Sequence, residues 1–216
     1  MAAAGLRAGT GSGVQADSST PSLEERWQAC RVEPREQPAP SRVELDAARG
    51  RTIPDVLASN LDVVFVGINP GLWSGAIGHH FARPGNRFWK ALHVSGFTDR
   101  IVSPFEDARL LRCGIGLTNL VARATAAAAE LTEEELRAAP SLLDRKLTPL
   151  RPRIVAVLGI GAYRAAFARP KAPLGRQDRW IGVAPVWVLP NPSGLNAHHQ
   201  LDDLAARFAE VRAALA

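Results

Sequence analysis

From about residue 52 onward, short β-branched apolar runs alternate with longer stretches of helical spacing, and this alternation constrains the fold more than any other feature of the chain. Residues 62–67, 115–121, 154–159 and 186–190 have strand length and composition. Between them, "NRFWKALHVSG", "FEDARLLRCG", "TEEELRAAPSLLDRKLTPL" and "GAYRAAFARP" carry helix-like spacing, with Thr132 and Glu135 placed as a capping box. A last helix is predicted over residues 198–214. Strand–helix alternation predicts a mainly parallel sheet covered on both faces, an α/β chain of three layers, α/β/α.

At 216 residues and 46% hydrophobic content, one well-filled core is expected. Residues 1–43 are rich in Gly, Ser, Ala and Pro, with too few large apolar residues to fold alone; they read as a disordered arm in which "SLEERWQACR" can form a short helix. Residues 44–216 read as the single domain. The net charge of +5 lies wholly in that domain, because the first 43 residues hold five basic and five acidic side chains. All basic residues except Lys90, Lys146 and Lys171 are arginine, a balance that permits a phosphate-rich partner without requiring one. Two cysteines, Cys30 and Cys113, cannot build a disulfide framework, a four-thiolate zinc site or an iron–sulfur cluster. With no secretory core at the N-terminus and no run of about 18 apolar residues, a cytoplasmic protein that does not enter a membrane is expected.

Two of the strands stop abruptly at Asn-Pro turns. "DVVFVGINPGLWSG" (62–75) runs into Asn69-Pro70-Gly71, and "WVLPNPSGLN" (187–196) into Asn191-Pro192-Ser193-Gly194. In open parallel sheets ligands bind at the carboxyl ends of the strands, so the two turns are expected to face one cleft. The first turn is followed by "GHHFARPGNRFW", with two histidines, an aromatic residue and a Pro-Gly break, an irregularity that points to a built site.

"GINPGL", "FARPGNRFWKAL", "SGFTDR", "GLTNLV" and "LPNPSGLN" together, in this order over about residues 54–213, resemble the mismatch-specific uracil-DNA and thymine-DNA glycosylase family. The resemblance implies a domain that flips a damaged base out of duplex DNA and hydrolyses its N-glycosidic bond, with no metal and no organic cofactor. It implies that Asn69 is the catalytic residue holding the attacking water, that Ile68 lines the base pocket through its backbone, and that Phe81 stacks on the flipped pyrimidine. Ser74 matches a small residue that crowds a pyrimidine 5-methyl group, which implies uracil rather than thymine as substrate. "NPSGLN" resembles a wedge loop: Leu195 would fill the space left by the flipped nucleotide, and Gly194 and Asn196 would contact the guanine opposite. Ala197 stands where relatives place an arginine, and Arg83 and His198 are possible contacts to the DNA backbone.

The implied partner is double-stranded DNA carrying G·U or a related damaged pyrimidine such as ethenocytosine, bound by a monomer. Two alternatives are a broader uracil glycosylase acting also on A·U and single strands, and a non-catalytic lesion-binding module. His79-His80 and His198-His199 lack a carboxylate or thiolate at ligand spacing and are not read as metal sites. "LGIGAYRAAF" has Arg164 where a dinucleotide fingerprint needs its third glycine, and reads as a tight turn. "TEEELRAA" reads as a solvated helical face.

Overall fold

The computed structural model describes residues 39–194 and 199–216. In chain order these form α1 (Arg42–Ala47), β1 (Val63–Gly67), α2 (Leu72–Ile77), α3 (Phe88–Val94), a 3₁₀ helix (Pro104–Cys113), β2 (Ile115–Asn119), α4 (Glu133–Leu147), β3 (Ile154–Leu158), α5 (Ile160–Ala166), β4 (Gly175–Ile181), β5 (Ala184–Leu189) and α6 (Leu201–Ala213). The strands make one sheet in the order β2-β1-β3-β5-β4. The first four are parallel, and β4 closes one edge antiparallel to β5.

Alternation along the central strands sorts the core into two faces, as the pleat requires. Val63 and Phe65 of β1, with Ile154, Ala156 and Leu158 of β3, join a cluster that includes Phe88 and Leu92 of α3 and Leu204 and Phe208 of α6. Val64, Val66, Val155 and Val157 point the other way, onto Leu143 and Leu147 of α4 and Tyr163 of α5. The predicted three-layer α/β/α arrangement is therefore the observed one.

Phe65 is the centre of the first face. Its ring lies edge-on to Phe88 (5.5 Å) and Phe97 (5.6 Å) and stacked on Phe208 (5.0 Å). Phe88 in turn stacks on Phe81 at 4.1 Å, so an unbroken aromatic path runs from the core to the loop after α2. Phe88 and Trp89 are both buried, although adjacent residues on a helix point about 100° apart. Cys113 is fully buried, and the one other cysteine, Cys30, lies outside the described residues.

Four elements differ from the sequence expectation, the first being the short helix α2, which was not predicted. β4 was not predicted, because "GRQDRWI" is charged and polar; an edge strand tolerates this, since only one of its sides pairs. "FEDARLLRC" winds as 3₁₀ rather than α-helix. α1 straddles the expected arm boundary at residue 43, started by a Ser41–Glu44 capping box. Among the described residues no helix is long and apolar enough to cross a membrane.

Replacing Phe65 by Ala removes the ring on which three others pack. It is expected to cost about 3–5 kcal/mol of stability, measured by urea unfolding; a loss below about 1 kcal/mol would show that the face repacks around the gap.

Candidate functional site

The carboxyl ends of β1, β2, β3 and β5 surround a cavity of about 330 Å³. Ile68, Asn69, Ser74, Phe81 and Arg83 all line it, and so do Asn191, Pro192 and Ser193 from the second Asn-Pro turn. The two turns thus share one cleft. Gly194, with Arg83, Pro84 and Gly85, lines a separate depression that shares Arg83, Asn86 and Ser193 with the cavity. Leu195, Asn196 and His198 lie outside the described residues.

The Asn69 amide is held from three sides. Its Nδ2 donates to the Pro70 carbonyl (3.1 Å), the Arg123 carbonyl (3.1 Å) and Thr125 Oγ1 (2.7 Å). Two of these partners are carbonyls, which can only accept, so the NH2 group must occupy that side and Oδ1 the other. Thr125 Oγ1 passes its own proton to the Ala127 carbonyl (2.8 Å), which fixes it as acceptor for Asn69. The side chain therefore offers the cavity an immobilised acceptor oxygen.

The segment after β2 supplies this grip by extending the strand pairing beyond the sheet. Leu120 N–H donates to the Gly67 carbonyl (2.8 Å), Val121 N–H to the Ile68 carbonyl (3.0 Å) and Thr125 N–H to the Pro70 carbonyl (3.1 Å). Arg123, whose carbonyl holds Asn69, is itself anchored: its guanidinium forms a two-point pair with Glu135 of α4, one contact at 2.7 Å, and donates to the Glu130 carbonyl (3.0 Å). Glu135 also closes the expected capping box with Thr132. The "TEEE" turn is thus not only a solvated face, because Glu135 ties the start of α4 to the site. Bonding to Arg123 first, and to the Thr132 N–H next, lowers its carboxyl pKa to about 2.

The floor of the cavity is set by a missing side chain. A Cβ on Gly67 would stand 2.5 Å from Asn119 Oδ1 and 3.3 Å from two ring atoms of Phe81, so only glycine admits both groups. Asn119, the last residue of β2 and in register with Gly67, brings a second amide into the cavity. Phe81 adopts φ of +51°, a conformation that costs an aromatic residue about 1–3 kcal/mol. One ring face rests on Phe88 while the residue lines the cavity. Ser74 Oγ accepts from Ala82 N–H (3.1 Å), which secures the turn that follows Phe81.

The histidines have structural partners. Asp107, from the 3₁₀ helix, accepts from His79 Nδ1 (3.1 Å) and from the His80 backbone N–H (3.1 Å). The carboxylate absent from the local sequence is therefore supplied by the fold. His80 is 1% exposed, and burial pushes its pKa down, so the ring is neutral. Its Nε2 lies 3.0 Å from the Pro54 carbonyl, which assigns the proton to that nitrogen. Among the described residues no three His, Cys, Asp or Glu side chains converge as metal ligands would. Among the described residues no Asp or Glu lines the cavity, whose polar groups are mainly amides and hydroxyls.

Arg87 joins the two loops beside the cavity. Its N–H donates to the Pro192 carbonyl (2.9 Å), Nη2 to the Ser193 carbonyl (2.7 Å) and Nη1 to the His199 carbonyl. A Cβ on Gly194 would come within 2.7 Å of the Gly85 carbonyl oxygen, so the loops meet backbone to backbone there. Arg87, Asn119, Arg123 and Thr125 escaped the sequence reading as parts of the site, and Glu135 was expected only as a helix cap. Only Asn119 carried a usable signal, as a polar residue ending the apolar run "GIGLTNL".

A model of the uracil DNA glycosylase superfamily matches residues 54–216. Among solved structures, the solution NMR structure of a candidate uracil DNA glycosylase from Methanosarcina acetivorans is similar in fold at 20% identity, with a TM-score of 0.52, covering 76% of this chain and 98% of that one.

Because the folded-state pKa of Glu135 lies below its ordinary value of 4.5, its pairing stabilises the fold fully above that value and is lost as pH falls toward about 2. The gap in melting temperature between the native protein and Glu135→Gln is expected to be widest near neutral pH and to close through the acid range. A gap independent of pH would show that the ion pair is not what holds the segment.

Proposed function

Because the chain belongs to the uracil DNA glycosylase superfamily, we propose that it is a mono-functional DNA glycosylase that excises uracil opposite guanine from duplex DNA. The observation that carries this reading is the tethered Asn69 amide in a cavity that no carboxylate among the described residues lines. The described lining offers neither a carboxylate nucleophile nor a carboxylate base. Its chemistry must come from a positioned water and from stabilising the leaving group.

In this mechanism the flipped uracil lies against Phe81, and the Asn119 amide pairs with its polar edge. Water bound to Asn69 Oδ1 approaches the sugar C1′ as the bond to the base nitrogen lengthens. Positive charge grows on the sugar and negative charge on the departing base, where hydrogen-bond donors lower the barrier. An amide orients water but accepts its proton poorly, so turnover is expected to be slow. The buried, neutral His80 already commits its Nε2 proton to Pro54 and is not the acid. No metal or organic cofactor takes part.

Ser74 limits the room beside the base and disfavours a 5-methyl group. Gly194, Leu195 and Asn196 form the wedge and the reader of the opposite guanine, with Arg87 clasping the base of their loop. Arg83 and His198 are assigned to contacts with the DNA backbone.

Single-turnover base release from a G·U duplex, beside A·U, G·T and single-stranded uracil DNA, tests the proposal. Asn69→Ala is expected to slow G·U release by about 100-fold or more; an unchanged rate removes Asn69 from catalysis. No uracil release from any substrate would overturn the glycosylase reading, and equal release from A·U and single strands would replace it with the broader uracil enzyme. Ser74→Ala is expected to raise the ratio of thymine to uracil release roughly tenfold; an unchanged ratio would move discrimination elsewhere.

A further inference from the structure

We propose that the loop between α5 and β4 holds a second DNA-binding site, which grips backbone phosphates of the same duplex at a distance from the flipped base. The inference rests on the glycosylase reading for the identity of its ligand, but its observations are independent of the base pocket. Arg169, Lys171 and Arg176 line one concavity of about 480 Å³. All three are exposed. Among the described residues no carboxylate lies within ion-pair distance of any of the three, whereas Arg123, Lys146 and Arg179 each lie against one. Asp178, exposed in the same wall, pairs with none of the three.

The loop is built rigidly. Arg164 donates from Nε (3.0 Å) and Nη2 (2.8 Å) to the Ala172 carbonyl, and Ala172 N–H returns to the Arg169 carbonyl (3.0 Å). Gln177 Nε2 donates to the Pro173 (2.9 Å) and Gly175 (2.8 Å) carbonyls. A fixed backbone lowers the entropy lost when its cations meet a ligand. Tyr163, 1% exposed, forms part of the wall, and no protein group among the described residues bonds its hydroxyl. Three cations without a carboxylate partner among the described residues, one of them (Arg176) resting over the Trp180 ring at 5.8 Å, together with a hydroxyl donor are the chemistry of a phosphate site.

Its position fits the same duplex. Gly175 pairs with Val188, one residue before the end of β5, so the loop emerges at the sheet edge that carries the cavity. In the order β1-β3-β5-β4 three strand spacings separate it from Asn69, about 14 Å at 4.8 Å each. At a rise of about 3.4 Å per base pair, that is roughly four base pairs along a duplex crossing this edge.

The test is the salt dependence of binding to undamaged and G·U duplexes, followed by fluorescence anisotropy. The native protein is compared with Arg169→Ala/Lys171→Ala/Arg176→Ala. A control, Arg137→Ala/Arg145→Ala/Arg207→Ala, removes equal charge from α4 and α6, and thermal melts verify that both variants fold. The loop variant is expected to flatten the slope of log affinity against log salt by about 2–3, near 0.9 per phosphate lost, with the control keeping the native slope. A native slope in the loop variant overturns the proposal, as does equal flattening in the control, which would report net charge alone. Inorganic phosphate at matched ionic strength separates the other source: loss of phosphate stabilisation in the loop variant with an unchanged duplex slope assigns the loop to a free anion and also overturns it. Because undamaged duplex suffices, a failure to release uracil sinks the glycosylase reading without deciding this one.

Discussion

The structure around the cleft depends on one set of hydrogen bonds: those by which the segment after β2 holds the segment after β1. Strand pairing ends at Asn119, yet Leu120, Val121 and Thr125 continue to bond the chain from Gly67 to Pro70. Without them Asn69-Pro70-Gly71 would be an ordinary exposed turn, free to sample several conformers. With them, and with three acceptors on its Nδ2, Asn69 becomes a group of fixed direction. Positioning of this kind is costly to improvise at the moment of reaction and is best built into the fold.

Two supports reach this point from opposite layers. From one side the aromatic path Phe65–Phe88–Phe81 carries the packing of the core to the cavity wall and sustains a strained backbone at Phe81. From the other, the ion pair of Arg123 with Glu135 ties the gripping segment to the first turn of α4. The site thus draws on both faces of the sheet, so a core substitution on either face can disturb the chemistry without touching the cavity.

The sequence made the layers legible because their cause is local: buried β-branched runs and helical spacing are written in consecutive residues. It missed β4, since an edge strand such as "GRQDRWI" needs no apolar pattern. The cleft was legible where a strand end coincided with turn chemistry, as at Asn69 and Asn191. Its supports were not, because Thr125 and Arg123 lie 56 and 54 residues from the amide they hold, and Asp107 lies 28 residues from His79. Only the folded chain brings those partners together. Residue types alone gave no reason to choose them over other threonines, arginines and aspartates.

The most direct measurement is a structure of the protein with duplex DNA carrying a non-hydrolysable 2′-fluoro analogue of deoxyuridine opposite guanine. The expected result is the uracil ring against Phe81, Asn69 Nδ2 still bonded to Thr125 and Arg123, and a water between Oδ1 and C1′. An Asn69 amide turned away from its three acceptors, or a base seated in the cavity with no water on Oδ1, would contradict the claim that this tether aims the nucleophile.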